Sequence, residues 1–324
     1  MKPKVYIAKP IPDEVERFIS KYCDYKIWRG TTPVPRDVLE REIKDIDGLM
    51  TPKGIITDEF LNNAPKLKIV SNIAVGYDGF DIEAMKRYGV IGTHTPGVLD
   101  ESVADLVFSL MTATARRIPE YDQYVKKGQW VQHLDSEEYF GKDIYKQTLG
   151  IIGPGRIGEK IIKRAKLGFD MEVIYHSRYP KPELNEKYNI EYKQLNDLLA
   201  LSDYVIVMVP LTSETCHLIS KKEFNLMKSD SIFINASRGQ VVNEEELYKA
   251  LKKRVIRAAG LDVYELEPVN LDNPLLQLSN VVTLPHIGSA TTKARYDMAM
   301  LAAENLVAGV TGSTPKNIVK EIHY

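Results

Sequence analysis

An α/β fold is predicted for this chain, built as two doubly wound parallel-sheet domains, and three observations carry the prediction. Short apolar runs alternate with amphipathic segments almost from end to end, as parallel strands covered by helices do. The alternation runs through two complete series with a long helical stretch between them, and the second series opens on a glycine-rich turn. At 324 residues the chain has room for two ordinary domains, each with its own core.

In the first hundred residues the strand candidates are KVYIA, YKIW, GLMT, LKIVSNIA and VIGTHT. The segments between them include PDEVERFISKYC and DIEAMKRYG, whose apolar residues recur at helical spacing. From Glu101 the stretch ESVADLVFSLMTATARRIPEYDQYVKKG reads as one long helix that stops at Gly128, a natural crossing between domains. The second series supplies the strands TLGIIG, MEVIYHS, YVIVMVP, SIFINAS, AAGLDVY and VVTLPHIG, and a last helix begins near Thr291.

Composition narrows the function. Lys and Arg number 43 against 44 Asp and Glu, a net charge of -1, so nothing recommends a nucleic-acid or membrane-surface partner. No apolar run approaches the roughly 18 residues of a membrane span, and MKPKVYIAKPIP enters a strand without a signal-peptide core. A cytoplasmic enzyme or binding protein is the expectation. Cys23 and Cys216 lie far apart without metal-ligand spacing, so neither a disulfide nor a metal site is expected.

The glycine turn is GPGRIG, with Gly153, Gly155 and Gly158. The first glycine makes the tight turn, the second lets backbone N–H groups approach a pyrophosphate, and the third lets the helix pack on the strand. GxGxxG alone is weak evidence. Here an apolar strand precedes it, an amphipathic helix follows, and a second strand comes at the right distance, which makes a Rossmann-like dinucleotide site the expectation. Arg156 and Ile157 of the turn, and Pro210 at the end of YVIVMVP, are counted with the cofactor-binding residues.

That second strand ends in EVIYHSRYPKPE, where an NAD site would place an Asp or Glu on the adenosine ribose. His176, Ser177 and Arg178 stand there instead. A 2′-phosphate is repelled by an acid and welcomed by a guanidinium, and charge-assisted hydrogen bonds contribute roughly 1.5–3 kcal/mol each. NADP(H) is therefore expected to be preferred, with NAD(H) possible. The bland alternative is that Arg178 is a solvated loop charge.

A bound nicotinamide implies hydride transfer, with the assisting residues beyond the carboxyl ends of the strands. Three late strands end in ionisable residues: SIFINASRG gives Arg238, GLDVYELEP gives Asp262 and Glu267, and VVTLPHIGSA gives His286. The set suits reduction of a 2-keto acid. Arg238 would clamp the substrate carboxylate and polarise the adjacent carbonyl, and His286 would donate the proton. Glu267 would orient the imidazole and favour its charged form. Lys53, in a loop after the third strand, would reach substrate or simply be solvated. His94 and His217 have no assignable partner in the sequence and read as structural, while His133 and His323 read as exposed.

Over essentially its whole length the sequence resembles the D-isomer-specific 2-hydroxyacid dehydrogenases: NIAVGYDGFD, HTPGVLDESVADLVFSL, TLGIIGPGRIG, INASRGQVV, GLDVYELEP and LPHIGSAT follow that family's pattern in order. Within it the chain looks most like the glyoxylate/hydroxypyruvate reductases and the bacterial 2-ketogluconate reductases. The resemblance places the catalytic Arg, Glu and His on Arg238, Glu267 and His286. It puts Val75 and Gly76 main-chain groups on the substrate carboxylate, and Asp262 and His286 at the nicotinamide. It implies that residues 291–324 return to residues 1–100 as a substrate-binding domain, with 101–290 binding the dinucleotide and the active site in the cleft between. It also implies a homodimer formed around residues 101–147. Tyr77, Lys53 and Tyr139 are the candidates for the hydroxyls of 2-ketogluconate. Alternatives are another member such as a phosphoglycerate dehydrogenase, or a non-catalytic, nicotinamide-sensing corepressor. A formate dehydrogenase would carry Gln in place of Glu267.

Replacing Arg178 by Asp should move the ratio of kcat/KM for NADPH over NADH toward NADH by roughly ten- to a hundred-fold. Steady-state kinetics with both cofactors measure it, and a ratio that barely moves removes Arg178 from the 2′-phosphate.

Overall fold

The computed structural model describes residues 1–52 and 54–322 and folds as two units. One comprises Met1–Leu99 together with the stretch that starts at Ser289; the other is Asp100–Gly288. Lys53 and His323 lie outside the described residues.

The first unit holds β1 (Lys4–Ile7), β2 (Asp24–Ile27), β3 (Gly48–Thr51), β4 (Ile69–Asn72) and β5 (Ile91–Thr93). All pair in parallel, in the order β2-β1-β3-β4-β5, so the winding direction reverses between β1 and β3. The helix Thr292–Thr311 packs on β3 and β4, and small residues permit the close approach. A Cβ on Gly48 would lie 2.7 Å from the Val310 side chain, and one on Gly309 would lie 2.5 Å from that of Ile69. Thr291 caps the helix by accepting from the Ala294 N–H, and Gly312 ends it at φ 87°.

The second unit holds β6 (Thr148–Ile152), β7 (Glu172–His176), β8 (Glu191–Tyr192), β9 (Tyr204–Val207), β10 (Ile232–Asn235), β11 (Ala258–Leu261) and β12 (Val281–Thr283). They too are all parallel, in the order β12-β11-β10-β9-β6-β7-β8, reversing between β6 and β9. Every residue of β9, β10 and β11 is buried, as strands covered on both faces must be. The predicted strands are found, with β8 added: two residues pairing with the edge of β7, too short to leave a periodic signal.

The stretch from Glu101 to Gly128 is not one helix. It is two, Asp100–Ala115 and Ile118–Lys126, joined through Arg117 in the left-handed region at φ 56°. Pro119 explains the break. Its nitrogen cannot donate, its ring would press on the carbonyl four residues back, and it is well placed in the first turn of a new helix.

Asp203 fixes the amino-terminal edge of the sheet. One carboxylate oxygen accepts from the Thr148 N–H at 3.0 Å, and the other meets Lys228 at 3.0 Å and Lys142 at 3.4 Å. Its own N–H and C=O bond to Thr148 and Ile232, which ties β6, β9 and β10 together. Burial pushes its pKa up, but the Thr148 N–H and the two lysines outweigh that and hold it below the ordinary value. A carboxyl depressed in the folded state stabilises above its unfolded pKa and loses that contribution as pH falls through the folded one. Asp203→Asn is therefore expected to lower stability by about 1–3 kcal/mol at neutral pH, and by less as the medium is acidified below about pH 4. Urea unfolding of both proteins at neutral and acid pH checks both the size and the sign.

Candidate active site

The phosphate turn is built as its glycines require. Gly153 sits at φ 93°, and a Cβ there would lie 2.7 Å from the Met208 carbonyl oxygen, while one on Gly158 would lie 2.7 Å from that of Gly153. Gly155 is different: a Cβ there meets nothing within 4 Å. The space above it is open, and it is the N-cap of the helix Arg156–Phe169 with no side chain capping the first turn. Free N–H groups at the positive end of a helix, beside a glycine with room above it, fit a pyrophosphate. The Arg156 side chain is anchored at Nε, which donates to Asp100 at 3.0 Å. Arg156 and Ile157 begin the helix that Gly155 caps, so their backbone stands at its positive end.

At the end of β7 the ring nitrogen Nδ1 of His176 lies 3.0 Å from the Lys193 carbonyl, and the Ser177 hydroxyl donates to the Tyr179 carbonyl at 2.6 Å. Arg178 is exposed and pairs with Glu214 at 2.5 Å. Such exposed pairs contribute little, so the guanidinium is easily redirected. A second cation stands beside it that the sequence reading passed over: Lys181 Nζ donates to the Pro154 carbonyl at 2.9 Å, which sets an ammonium on the rim of the glycine turn. Its spacing from Arg178 in SRYPKPE was the available signal. Pro210 is exposed after β9, its carbonyl accepting from Thr215 Oγ1 at 2.6 Å.

The strands β10, β11 and β12 are neighbours and parallel, so the loops that follow them leave one edge. His286 Nδ1 lies 2.8 Å from Glu267 Oε2, and the other carboxylate oxygen accepts from the Tyr264 N–H at 3.3 Å. His286 is held at φ 53°, uncommon for a residue with a side chain. Asp262 helps impose it. Only 1% exposed, it accepts from the Ile287 N–H at 2.8 Å and the Gly288 N–H at 2.9 Å, clamping the turn that carries the imidazole. Burial raises its pKa against those two donors. Both its oxygens are thus engaged inside the protein, and the role seen is support of the His286 turn.

Arg238 follows β10 on a turn braced by Asn235, whose Oδ1 accepts from the Ser237 N–H and hydroxyl while its Nδ2 donates to the Arg238 carbonyl. Gly239 brings that turn against the next loop: a Cβ there would lie 1.8 Å from the Tyr264 carbonyl carbon. Arg238 is half-buried and donates to the Ser237 carbonyl at 2.8 Å.

Residues 108–288 match the family described as D-isomer specific 2-hydroxyacid dehydrogenase, NAD binding domain. The chain belongs to the D-isomer-specific 2-hydroxyacid dehydrogenases. It is 46% identical to a glyoxylate reductase of Thermococcus litoralis, over 99% of this chain and 98% of that one. It is 43% identical to a glyoxylate/hydroxypyruvate reductase B of Serratia proteamaculans, over 98% of each. Among solved structures, a Thermus thermophilus protein superposes with a TM-score of 0.90 at 37% identity, covering 98% of this chain and 99% of that one. An NADPH-dependent glyoxylate/hydroxypyruvate reductase from Sinorhizobium meliloti, in complex with NADP and malonate, superposes at 0.86 and 30%, covering 99% and 98%. The chain is accordingly an oxidoreductase with a nicotinamide-dinucleotide domain. No helix among the described residues is long and apolar enough to cross a membrane, and no group of ligating side chains there could hold a metal.

In the first unit this dehydrogenase holds the Val75–Gly76 loop by its carbonyls. His94 Nδ1 lies 2.9 Å from the Val75 carbonyl oxygen, and Asn72 Nδ2 donates to that of Gly76 at 2.7 Å. The Tyr77 ring packs edge-on to His94, and its hydroxyl donates to Glu321 at 3.1 Å. His94 thus has partners that the sequence did not reveal, and so has His217, 3.0 Å from Glu265. Both fall on residues far away in the chain.

Lys181→Met is expected to raise the KM for NADPH by about tenfold, the loss of one charge-assisted contact, and that for NADH by much less. Equal changes for the two cofactors in steady-state kinetics would make Lys181 a brace of the turn only.

Proposed function

We propose that this dehydrogenase reduces small 2-keto acids to D-2-hydroxy acids, with NADPH preferred over NADH and with glyoxylate and hydroxypyruvate as its leading substrates; 2-ketogluconate is the third to be tried. The observation that carries the reading is the His286–Glu267 contact of 2.8 Å at the carboxyl edge of the cofactor sheet. An imidazole in contact with a carboxylate through Nδ1 leaves Nε2 to deliver a proton. The names of the similar reductases point to the same substrates.

In this reading Gly153, Gly155, Arg156, Ile157 and Gly158 receive the pyrophosphate through backbone and helix end, and Pro210 borders the cofactor. Ser177 and Arg178, with Lys181 beside them, receive the 2′-phosphate. The bound nicotinamide supplies the hydride. Arg238 orients the keto acid and draws electron density from its carbonyl, His286 protonates the oxygen, and Glu267 holds His286 and offsets its charge. Asp262 keeps the His286 turn in place. Val75 and Gly76, whose carbonyls are already held, present N–H groups to the substrate carboxylate, and Lys53 adds a charge. Residues 1–100 and 291–324 serve as the substrate-binding domain, and 101–290 as the dinucleotide-binding domain.

A homodimer around residues 101–147 and a cytoplasmic setting complete the proposal. Ile118, Val125, Trp130, Val131 and Phe140 are all exposed within that segment, a density of apolar side chains that suits an interface between copies.

The test is oxidation of NADPH and of NADH, followed by absorbance, with glyoxylate, hydroxypyruvate and 2-ketogluconate in turn. Saturable turnover faster with NADPH is expected, and His286→Ala should lower kcat by two orders of magnitude or more while cofactor affinity changes little. Tight cofactor binding without turnover of any acid would favour a nicotinamide sensor instead.

A further inference from the structure

The first unit has a pocket to which none of the proposed site residues belongs. It is a cavity of about 390 Å³ whose walls include Lys9, Pro10, Ile11, Ile73, Arg295 and Ala299. Lys9 lies two residues past β1, and Ile73 lies one past β4, so the pocket opens at the carboxyl edge of the five-stranded sheet. Ligands of open α/β sheets gather at that edge, near the point where the winding reverses, and here the reversal lies between β1 and β3.

Two cations line this space and, among the described residues, no carboxylate does. Neither side chain forms an ion pair or a hydrogen bond among the described residues. Lys293, two residues before Arg295 on the same helix, is by contrast paired with Asp297 at 2.6 Å. Glu14, on the helix Asp13–Tyr22, is taken up by the Tyr296 hydroxyl. Burial lowers the Lys9 pKa, and the Arg295 charge lowers it further, so desolvation and repulsion both act on the pair. Arg295 also sits in the first turn of the helix Thr292–Thr311, whose positive end adds to the field. Everything that makes the site unfavourable when empty favours an anion within it.

We propose that Lys9 and Arg295 form an anion subsite for the far end of the substrate, receiving the second carboxylate or the phosphate of a 2-oxo acid whose reacting carboxylate is held at Val75 and Gly76. The inference rests on the proposed role of those two residues. Ile73 lines the pocket and lies two residues before Val75, so the pocket and the Val75–Gly76 loop share the stretch of chain that leaves β4. Glyoxylate has no far group to place there, and hydroxypyruvate ends in a neutral hydroxyl. An oxo diacid or a phosphorylated oxo acid would engage both cations, so the subsite adds longer, dianionic 2-oxo acids to the substrates that the reacting groups accept.

Calorimetry reads the subsite without turnover. With cofactor present, succinate should bind roughly ten- to a hundred-fold more tightly than butanoate, or 3-phosphoglycerate more tightly than glycerate, and the stronger of the two arms names the preferred terminus. Lys9→Met and Arg295→Gln should each remove about tenfold of that preference, and Lys9→Glu should reverse it. Kinetics then compare oxaloacetate with 2-oxobutanoate, of equal chain length, whose kcat/KM ratio should fall in the same variants. Wild-type protein that binds succinate no better than butanoate and 3-phosphoglycerate no better than glycerate overturns the subsite, as does a preference indifferent to all three substitutions in folded protein. A preference lost in the variants, but with no 2-oxo acid reduced, sustains the subsite and overturns the reductase reading instead.

Discussion

Parallel pairing is the constraint on which the rest depends. Within each sheet every strand runs in the same direction, so each must be reached by a crossover, and every loop that follows a strand leaves one edge of its own sheet. Three neighbouring strands of the cofactor sheet end in Arg238, the Asp262–Glu267 loop and His286, residues far apart in sequence that the shared edge collects. The glycine turn and the end of β7 lie on that edge for the same reason. In the first unit the corresponding edge carries the Val75–Gly76 loop, and the Lys9–Arg295 pocket with it.

Precision at that edge comes from backbone groups more than from ion pairs. Gly239 lets one main chain run against another at a distance no side chain tolerates, and Asp262 accepts two consecutive N–H groups to hold His286 in a left-handed conformation. Asn235 commits its whole amide to the Arg238 turn, while Asn72 and His94 hold the Val75 and Gly76 carbonyls. Such bonds cost little entropy once the strands are in place, because both partners belong to segments already fixed. The exposed pairs around the molecule, Arg178 with Glu214 among them, contribute far less and can be exchanged for a ligand.

The cations of the two units fall into two groups by what they face. Arg156, Lys142 and Lys228 meet carboxylates of the fold's own framework, so their charge serves to hold the chain together. Among the described residues Arg178 meets only an exposed acid, Lys181 only a carbonyl, and Lys9 and Arg295 no acid at all. The second group is where an incoming anion would gain most, since the field is present and little must be broken to use it.

The fold class, the strands, the glycine turn and the candidate residues of the cofactor sheet were legible in the sequence, because each is a local pattern: an apolar run, a glycine spacing, an ionisable residue just past a strand. The break at Arg117 escaped a periodicity that continues through it, though Pro119 was there to be read, and β8 is too short to have a period. Tertiary structure alone decided the partners. It set His286 against Glu267, turned Arg156 toward Asp100, brought Lys181 to the Pro154 carbonyl, and placed Lys9 in one pocket with Arg295, from the far end of the chain. A sequence encodes what a residue can do through its own chemistry and that of its near neighbours. What it does is settled by groups that only the crossovers of a parallel sheet bring within reach.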